Sequence, residues 1–74
     1  MTRNEIARVQ SYLRKIFVNN GIEIDMPEKI GQPVEVRVGP EHIGVLHRDD
    51  DEGEVSYFFE MPILEEDLPP DISR

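Results

Sequence analysis

The period of the hydrophobic residues changes at Asn19-Asn20-Gly21, and this change limits the possible folds more than any other feature of the chain. Before it, apolar residues recur every three or four positions, which predicts an amphipathic helix over residues 4–18. After it, apolar and polar residues alternate, as they do in strands with one face in water. The chain therefore predicts an α+β domain. The apolar stripe of the helix consists of Ile6, Val9, Leu13, Ile16 and Phe17.

Both ends of the predicted helix carry residues that are typical of helix ends. Thr2 is followed three residues later by Glu5, which fits a capping box in which each side chain accepts a backbone N–H of the other. Asn4 is the alternative capping residue. At the other end, residues 19–21 tolerate left-handed backbone, and we expect them to end the helix.

Four alternating segments follow the helix and predict the strands of a sheet. We expect one helix packed on an antiparallel meander of three or four strands, in the order α-β-β-β-β. Pro62 ends the last strand or places it at an edge, because proline has no N–H to donate to a ladder. The segments are 22–26, 34–38, 43–48 and 54–61.

The two hairpins between the later strands set which residues face the helix. Residues 39–42 fit a four-residue loop built on a type I turn, which places Val38 opposite Ile43. The second hairpin is predicted to turn through residues 49–53, with Arg48 opposite Glu54.

This register has consequences for the outer face of the sheet. Leu46 and Phe58 both lie on it and form an apolar patch. Phe58 covers Gly44, and His42 pairs with Glu60. His42 and His47, five positions apart, point to opposite faces and cannot share a metal.

The chain is short, with 74 residues and no cysteine, so an apolar core or self-association must hold the fold. We predict a single compact domain over residues 1–68 and a disordered tail over 69–74. No apolar run approaches the roughly 18 residues of a membrane span. We expect a cytoplasmic protein that makes no membrane contact.

Charge is unevenly distributed along the chain. Residues 1–20 hold four bases and one acid, whereas the rest hold 15 acids and four bases, within a net charge of −8. Arg8 and Lys15 lie opposite the apolar stripe of the helix and are candidates for binding a protein partner. The net negative charge makes nucleic acid an unlikely partner, because a phosphate backbone would be repelled.

One acidic segment invites a test for metal binding. Residues 49–54 hold five carboxylates, of which Asp49, Asp51 and Glu54 are the candidate ligands. Their spacing is not that of an EF-hand, and a solvated hairpin turn explains them better. No serine lies near a base and no glycine-rich phosphate loop is present, so the sequence predicts no enzyme and no cofactor.

Several stretches, taken together, are similar to a known family. They are Glu5-Ile6, residues 12–17, residues 43–46, the acidic turn, residues 58–61 and residues 63–68. In that order they resemble a domain-of-unknown-function family of small alphaproteobacterial proteins. The resemblance implies a compact bacterial domain and implies no activity.

The leading hypothesis is therefore a non-enzymatic interaction module that binds a protein partner or a second copy of itself. Its contact surface is either the basic helix face, with Arg8 and Lys15, or the patch of Leu46 and Phe58. The alternatives are a divalent-cation site at residues 49–54 and weak nucleic-acid contact through the helix.

Overall fold

A computed structural model of the chain describes residues 1–71 and shows one helix followed by one four-stranded antiparallel sheet. The strands are neighbours in chain order, so the predicted α-β-β-β-β meander is confirmed. Residues 72–74 of the predicted tail lie outside the described part of the chain. The elements are α1 (Arg3–Ile16), β1 (Ile22–Asp25), β2 (Val34–Val38), β3 (Glu41–Asp49), β4 (Ser56–Glu60) and a short 3-10 helix (Glu65–Asp67).

The capping box at the start of α1 is confirmed. The Glu5 backbone N–H donates to Thr2 Oγ1 at 3.1 Å, and the Thr2 N–H donates to Glu5 Oε1 at 2.8 Å. Two N–H groups that the first turn of a helix leaves without partners are satisfied in this way.

The end of α1 differs from the prediction. Val18, with φ of 51°, is the left-handed residue, rather than any of residues 19–21. The Asn19 N–H donates to the Arg14 carbonyl and the Val18 N–H to the Lys15 carbonyl, at 3.0 and 3.3 Å. These two bonds form a Schellman motif, in which glycine usually occupies the position that Val18 holds.

The helix covers the β1 side of the sheet and also protects the free edge of β1. Gln10 Oε1 accepts the Ile24 N–H at 2.9 Å, and Arg14 Nε donates to the Ile22 carbonyl at 2.7 Å. The edge at β4 has no such cover from α1, whose backbone approaches β1 most closely. The buried core consists of Ile6, Leu13, Ile22, Ile24, Val34, Val36 and Leu46.

The first hairpin is tighter than predicted. Val38 pairs with Glu41, so the loop has two residues, Gly39 and Pro40, and β3 begins two residues earlier. Gly39 has φ of 58°, as the first central position of a type II′ turn requires. The register then shifts by one residue at Ile43, which forms a β-bulge and brings Gly44 opposite Val36.

The second hairpin is longer than predicted. Asp49 pairs with Ser56 and Leu46 with Phe59, so residues 50–55 form the loop, and the predicted pair of Arg48 and Glu54 is wrong. Leu46 therefore faces α1 and is only 3% exposed. Phe58 faces away from the helix, as predicted, and is 54% exposed.

Two further predictions for the sheet are corrected by the bulge and the longer loop. A β-carbon on Gly44 would lie 2.9 Å from the ring of Phe59, so Phe59 rather than Phe58 covers this glycine. His42 pairs with Glu35 at 2.8 Å and His47 with Glu60 at 2.7 Å. Because the bulge lies between the two histidines, both lie on the outer face.

Candidate functional site

An open groove lies on the inner face of the sheet, between α1 and β4, where the helix leaves the sheet uncovered. The first part of this groove is a cavity of about 400 Å³ near the start of α1. The floor comes from Leu46, Tyr57 and Phe59 on the sheet, and the wall comes from Val9 and Tyr12 on the helix. Tyr12 is 61% exposed, because it lies on the side of the helix that faces away from β1.

The groove continues past Phe59 into a second depression of about 250 Å³ at the other end of α1. Leu13 and Phe59 line both parts, and Phe17 and Met61 line the second part alone. The rings of Phe17 and Phe59 meet edge to face, with centroids 6.5 Å apart. Phe17 is nevertheless 54% exposed, so the predicted apolar stripe of the helix is only partly buried.

A hydrogen-bonded cluster closes the end of the groove near the start of α1. Arg48 Nε and the Tyr57 hydroxyl both donate to Glu5 Oε2, at 2.6 and 2.8 Å. The other oxygen of the carboxylate accepts the Thr2 N–H. Glu5 therefore connects the first turn of the helix to β3 and β4.

These contacts shift the pKa values of all three side chains. The Thr2 N–H, together with Arg48 and Tyr57, stabilises the carboxylate and lowers the pKa of Glu5 from 4.5 to about 2. The hydrogen bond to Glu5 raises the pKa of Tyr57, and it also raises that of Arg48. Glu5 and Arg48 are ionised and Tyr57 remains a neutral donor, an arrangement that suits a structural joint rather than a proton-transfer site.

The outer rim of the groove is basic. Arg8 lines the cavity of about 400 Å³. Spacings of four and three residues place Arg8, Tyr12 and Lys15 along one side of the helix. Within residues 1–71, the side chains of Arg8 and Lys15 make no hydrogen bond and no ion pair. Arg14, in contrast, is held by the edge of β1. The structure thus brings Arg8 to the apolar groove, and helical spacing places Lys15 on the same side of α1.

The chain beyond β4, residues 61–68, forms an exposed segment that we name the C-terminal arm. Within residues 1–71, the backbone of its 3-10 helix lies close to neither α1 nor any strand, whereas Met61, at the start of the arm, lines the second depression. Its apolar side chains Met61, Ile63, Leu64 and Leu68 are all about half exposed or more. Glu65, Glu66 and Asp67 add three negative charges.

The predicted patch of Leu46 and Phe58 does not exist as one surface. The bulge at Ile43 reverses the faces of β3, so Leu46 forms the floor of the groove while Phe58 stays on the outer face. Phe58 lies opposite His47, beside the pair of His47 and Glu60. Tyr57 and Phe59 lie on the inner face and line the groove, although the sequence pattern did not single them out as candidate site residues.

The acidic hairpin loop shows no metal-binding arrangement. Asp51 N–H donates to Asp49 Oδ1, and Arg48 pairs with Asp50 at 3.0 Å. In residues 1–71, no group of three or more histidine, aspartate or glutamate side chains is placed to hold a metal ion. A cation site at Asp49, Asp51 and Glu54 stays a prediction without geometric support.

Among residues 1–71, no helix has the length and apolar character needed to cross a membrane. No curated protein and no solved structure matches the chain. Residues 5–67 match the model of a family described as "Protein of unknown function (DUF3126)", and the match includes α1, all four strands and most of the C-terminal arm. Because this match covers well over half of its length, the chain belongs to the DUF3126 family.

Proposed function

We propose that this protein is a non-enzymatic interaction module whose groove binds a protein segment with apolar side chains followed by acidic ones. The observation that carries the proposal is the one-sided cover of the sheet. The helix protects the edge of β1 and leaves Tyr57 and Phe59 partly exposed beside it, in a groove whose lining also includes the buried Leu46. A pocket with apolar walls and a few polar groups at its rim is the common form of a binding site.

The charges at the rim define the chemistry of the partner. Among residues 1–71, neither the Arg8 side chain at the groove nor the Lys15 side chain on the same side of α1 has an acidic partner, in a molecule whose net charge is −8. Opposite charges across an interface favour encounter and fix orientation, so an acidic segment fits this rim. A nucleic acid fits less well, because its bases would have to enter the groove while its phosphates passed the acidic sheet.

The non-enzymatic part of the proposal is supported by the polar groups that the groove contains. Glu5 accepts hydrogen bonds from both Arg48 and Tyr57, so these three polar groups at the cavity are already paired with one another. A general base must reach the proton that it abstracts, and Glu5 is held in its ionised form by three donors. Expression in the bacterial cytoplasm, as in alphaproteobacteria, is part of the same proposal.

Photo-crosslinking tests the groove directly. A photoreactive phenylalanine analogue placed at Tyr12 is expected to form adducts with protein in cells. The same analogue at Phe58 is the matched control, because Phe58 is similarly exposed on the opposite face. Mass spectrometry of the adducts identifies the bound segment, and Arg8→Glu/Lys15→Glu is expected to reduce adduct formation at Tyr12 several-fold.

The opposite pattern would contradict the proposal. Adducts at Phe58 with none at Tyr12 would place the binding surface on the outer face. The absence of protein adducts at both positions would remove the interaction module altogether.

A further inference from the structure

We infer that the groove binds the C-terminal arm of a second copy of this chain, so that two molecules exchange arms reciprocally. This inference rests on the proposed function and names its partner. Both halves of the contact are present and unoccupied in the described chain, as an apolar groove and an exposed apolar arm.

The arm has the composition that the groove selects. Ile63, Leu64 and Leu68 supply apolar side chains for the floor. The acidic run at 65–67 lies between them and complements Arg8 and Lys15 on the rim. A chain with net charge −8 repels copies of itself in general, so a basic strip beside the groove gives the acidic arm a specific place to bind.

The dimensions of the molecule agree with an arm that extends away from the rest of the domain. The radius of gyration is 14.5 Å, whereas a compact chain of this length is expected to have about 11 Å. The molecule measures 48 Å along its longest axis and 26 and 25 Å along the others. An arm that projects in this way reaches a second molecule without any reversal of the chain after β4.

The length of the arm also matches the groove. Eight residues span at most about 28 Å when fully extended, and the 3-10 helix at Glu65–Asp67 makes the arm shorter than this limit. The helix wall from Glu5 to Phe17 is about 18 Å long, so the two lengths are comparable. Prolines follow both Met61 and Leu68, so the residues before them favour extended backbone. This restriction lowers the entropy that the arm loses on binding.

A two-fold arrangement uses each contact twice. One copy places its arm in the groove of the other and receives the other arm in return, which closes the assembly as a dimer. The same doubling lets a short segment bury enough area for a stable interface. The family match extends through residue 67, so the arm is part of the family domain and not an addition to it.

Sedimentation velocity of the full chain over a wide concentration range tests the inference. The wild type is expected to form a dimer. Arm variant Ile63→Ser/Leu64→Ser and groove variant Tyr12→Ser are each expected to weaken the dimer at least tenfold. All three substituted side chains are more than half exposed, so the fold should be retained, and circular dichroism checks this. Phe58→Ser is the matched control and should leave the dimer unchanged.

Mixing the two variants gives a sharper result than either alone. A heterodimer of the arm variant with the groove variant has one intact contact and one contact that is damaged on both sides. Each homodimer has two damaged contacts. The mixture is therefore expected to dimerise at concentrations where each variant alone is monomeric. An interface that does not join arm to groove gives no such recovery.

Charge reversal tests the rim without changing any apolar residue. Arg8→Glu/Lys15→Glu and Glu65→Lys/Glu66→Lys should each weaken the dimer, and a chain that carries all four changes should regain it. A wild type that stays monomeric would overturn the inference, and so would a dimer indifferent to both the arm and the groove variants. In either case a Tyr12 adduct with a different protein would leave the proposed function standing, whereas no adduct would end both.

Discussion

At Val18 and at Gly44 the backbone leaves little room for a side chain, for a different reason at each position. Val18 has a β-branched side chain in left-handed backbone, where the β-carbon lies too close to the following carbonyl. Gly44 lies in the sheet where a neighbouring strand comes too near for any side chain. The side chain of Val18 therefore strains the backbone at its position, whereas Gly44 fits because it has no side chain.

Replacing Val18 with glycine is expected to stabilise the protein by about 1 kcal/mol, because the left-handed strain disappears and the Schellman bonds remain. Val18 is 89% exposed, so little apolar burial is lost. Asn20→Gly is the control, since Asn20 has no positive φ, and it should not stabilise. Urea denaturation measures both, and equal midpoints for Val18→Gly and wild type would contradict the expectation.

Replacing Gly44 with alanine is expected to destabilise the protein by about 1–3 kcal/mol or more, as overpacking in a sheet does. The added β-carbon would lie 2.2 Å from the carbonyl oxygen of Glu60, and this oxygen belongs to the backbone of β4. At Gly21 the nearest atom is a side-chain oxygen of Asn19, 3.0 Å away, which can move aside. Gly21→Ala should therefore cost much less in thermal denaturation, and equal losses would argue against the close approach of β4.

At the scale of elements, the position of α1 is set by polar contacts at two corners. Gln10 and Arg14 bind the free edge of β1, and Glu5 binds Arg48 and Tyr57 on β3 and β4. Between these contacts the helix shields β1 and leaves the groove open above β4. These hydrogen bonds therefore act together with the buried Ile6 and Leu13 to fix the helix beside the groove.

The Glu5 contact makes stability depend on pH in the acid range. Because the folded pKa of about 2 lies below the ordinary 4.5, the ionised contacts contribute fully above pH 4.5 and are lost as the pH falls towards 2. Glu5→Gln should lower the denaturation midpoint at neutral pH, and its difference from wild type should shrink between pH 4.5 and 2. Glu52→Gln removes the same charge from an exposed loop and should reproduce the pH profile of the wild type. A constant difference for Glu5→Gln at every pH would contradict this assignment.

The strand order and the helix could be predicted from the sequence, whereas the face of β3 could not. Ile43 and Val45 alternate with Gly44 and Leu46, so both parities of this strand contain apolar residues. A two-residue turn at Gly39 and a bulge at Ile43 decide between them, and alternation alone does not reveal a bulge. The side of the helix on which Arg8 and Lys15 lie could be predicted from helical periodicity, because both residues belong to α1.

At the scale of the whole molecule, the chain is a two-layer domain of one helix on one sheet, and it exposes many large apolar side chains. One helix is too narrow to cover four strands. A domain of this size buries only about 60% of the surface that its unfolded chain exposes. Tyr12, Phe17 and the arm remain exposed in a single copy. Reciprocal exchange of arms would cover these residues and enlarge the core without lengthening the chain.

The melting temperature of the wild type is therefore expected to rise with protein concentration, because folded dimers are in equilibrium with unfolded monomers. The arm variant Ile63→Ser/Leu64→Ser should melt at a lower temperature that is independent of concentration. Phe58→Ser, on the outer face, should keep the concentration dependence of the wild type. Differential scanning fluorimetry over a hundredfold concentration range measures all three, and a wild-type melting temperature that stays constant would mean that the monomer alone sets the stability. Since reciprocal contacts weaken together, a mixture of the arm and groove variants should regain part of the dependence that each has lost.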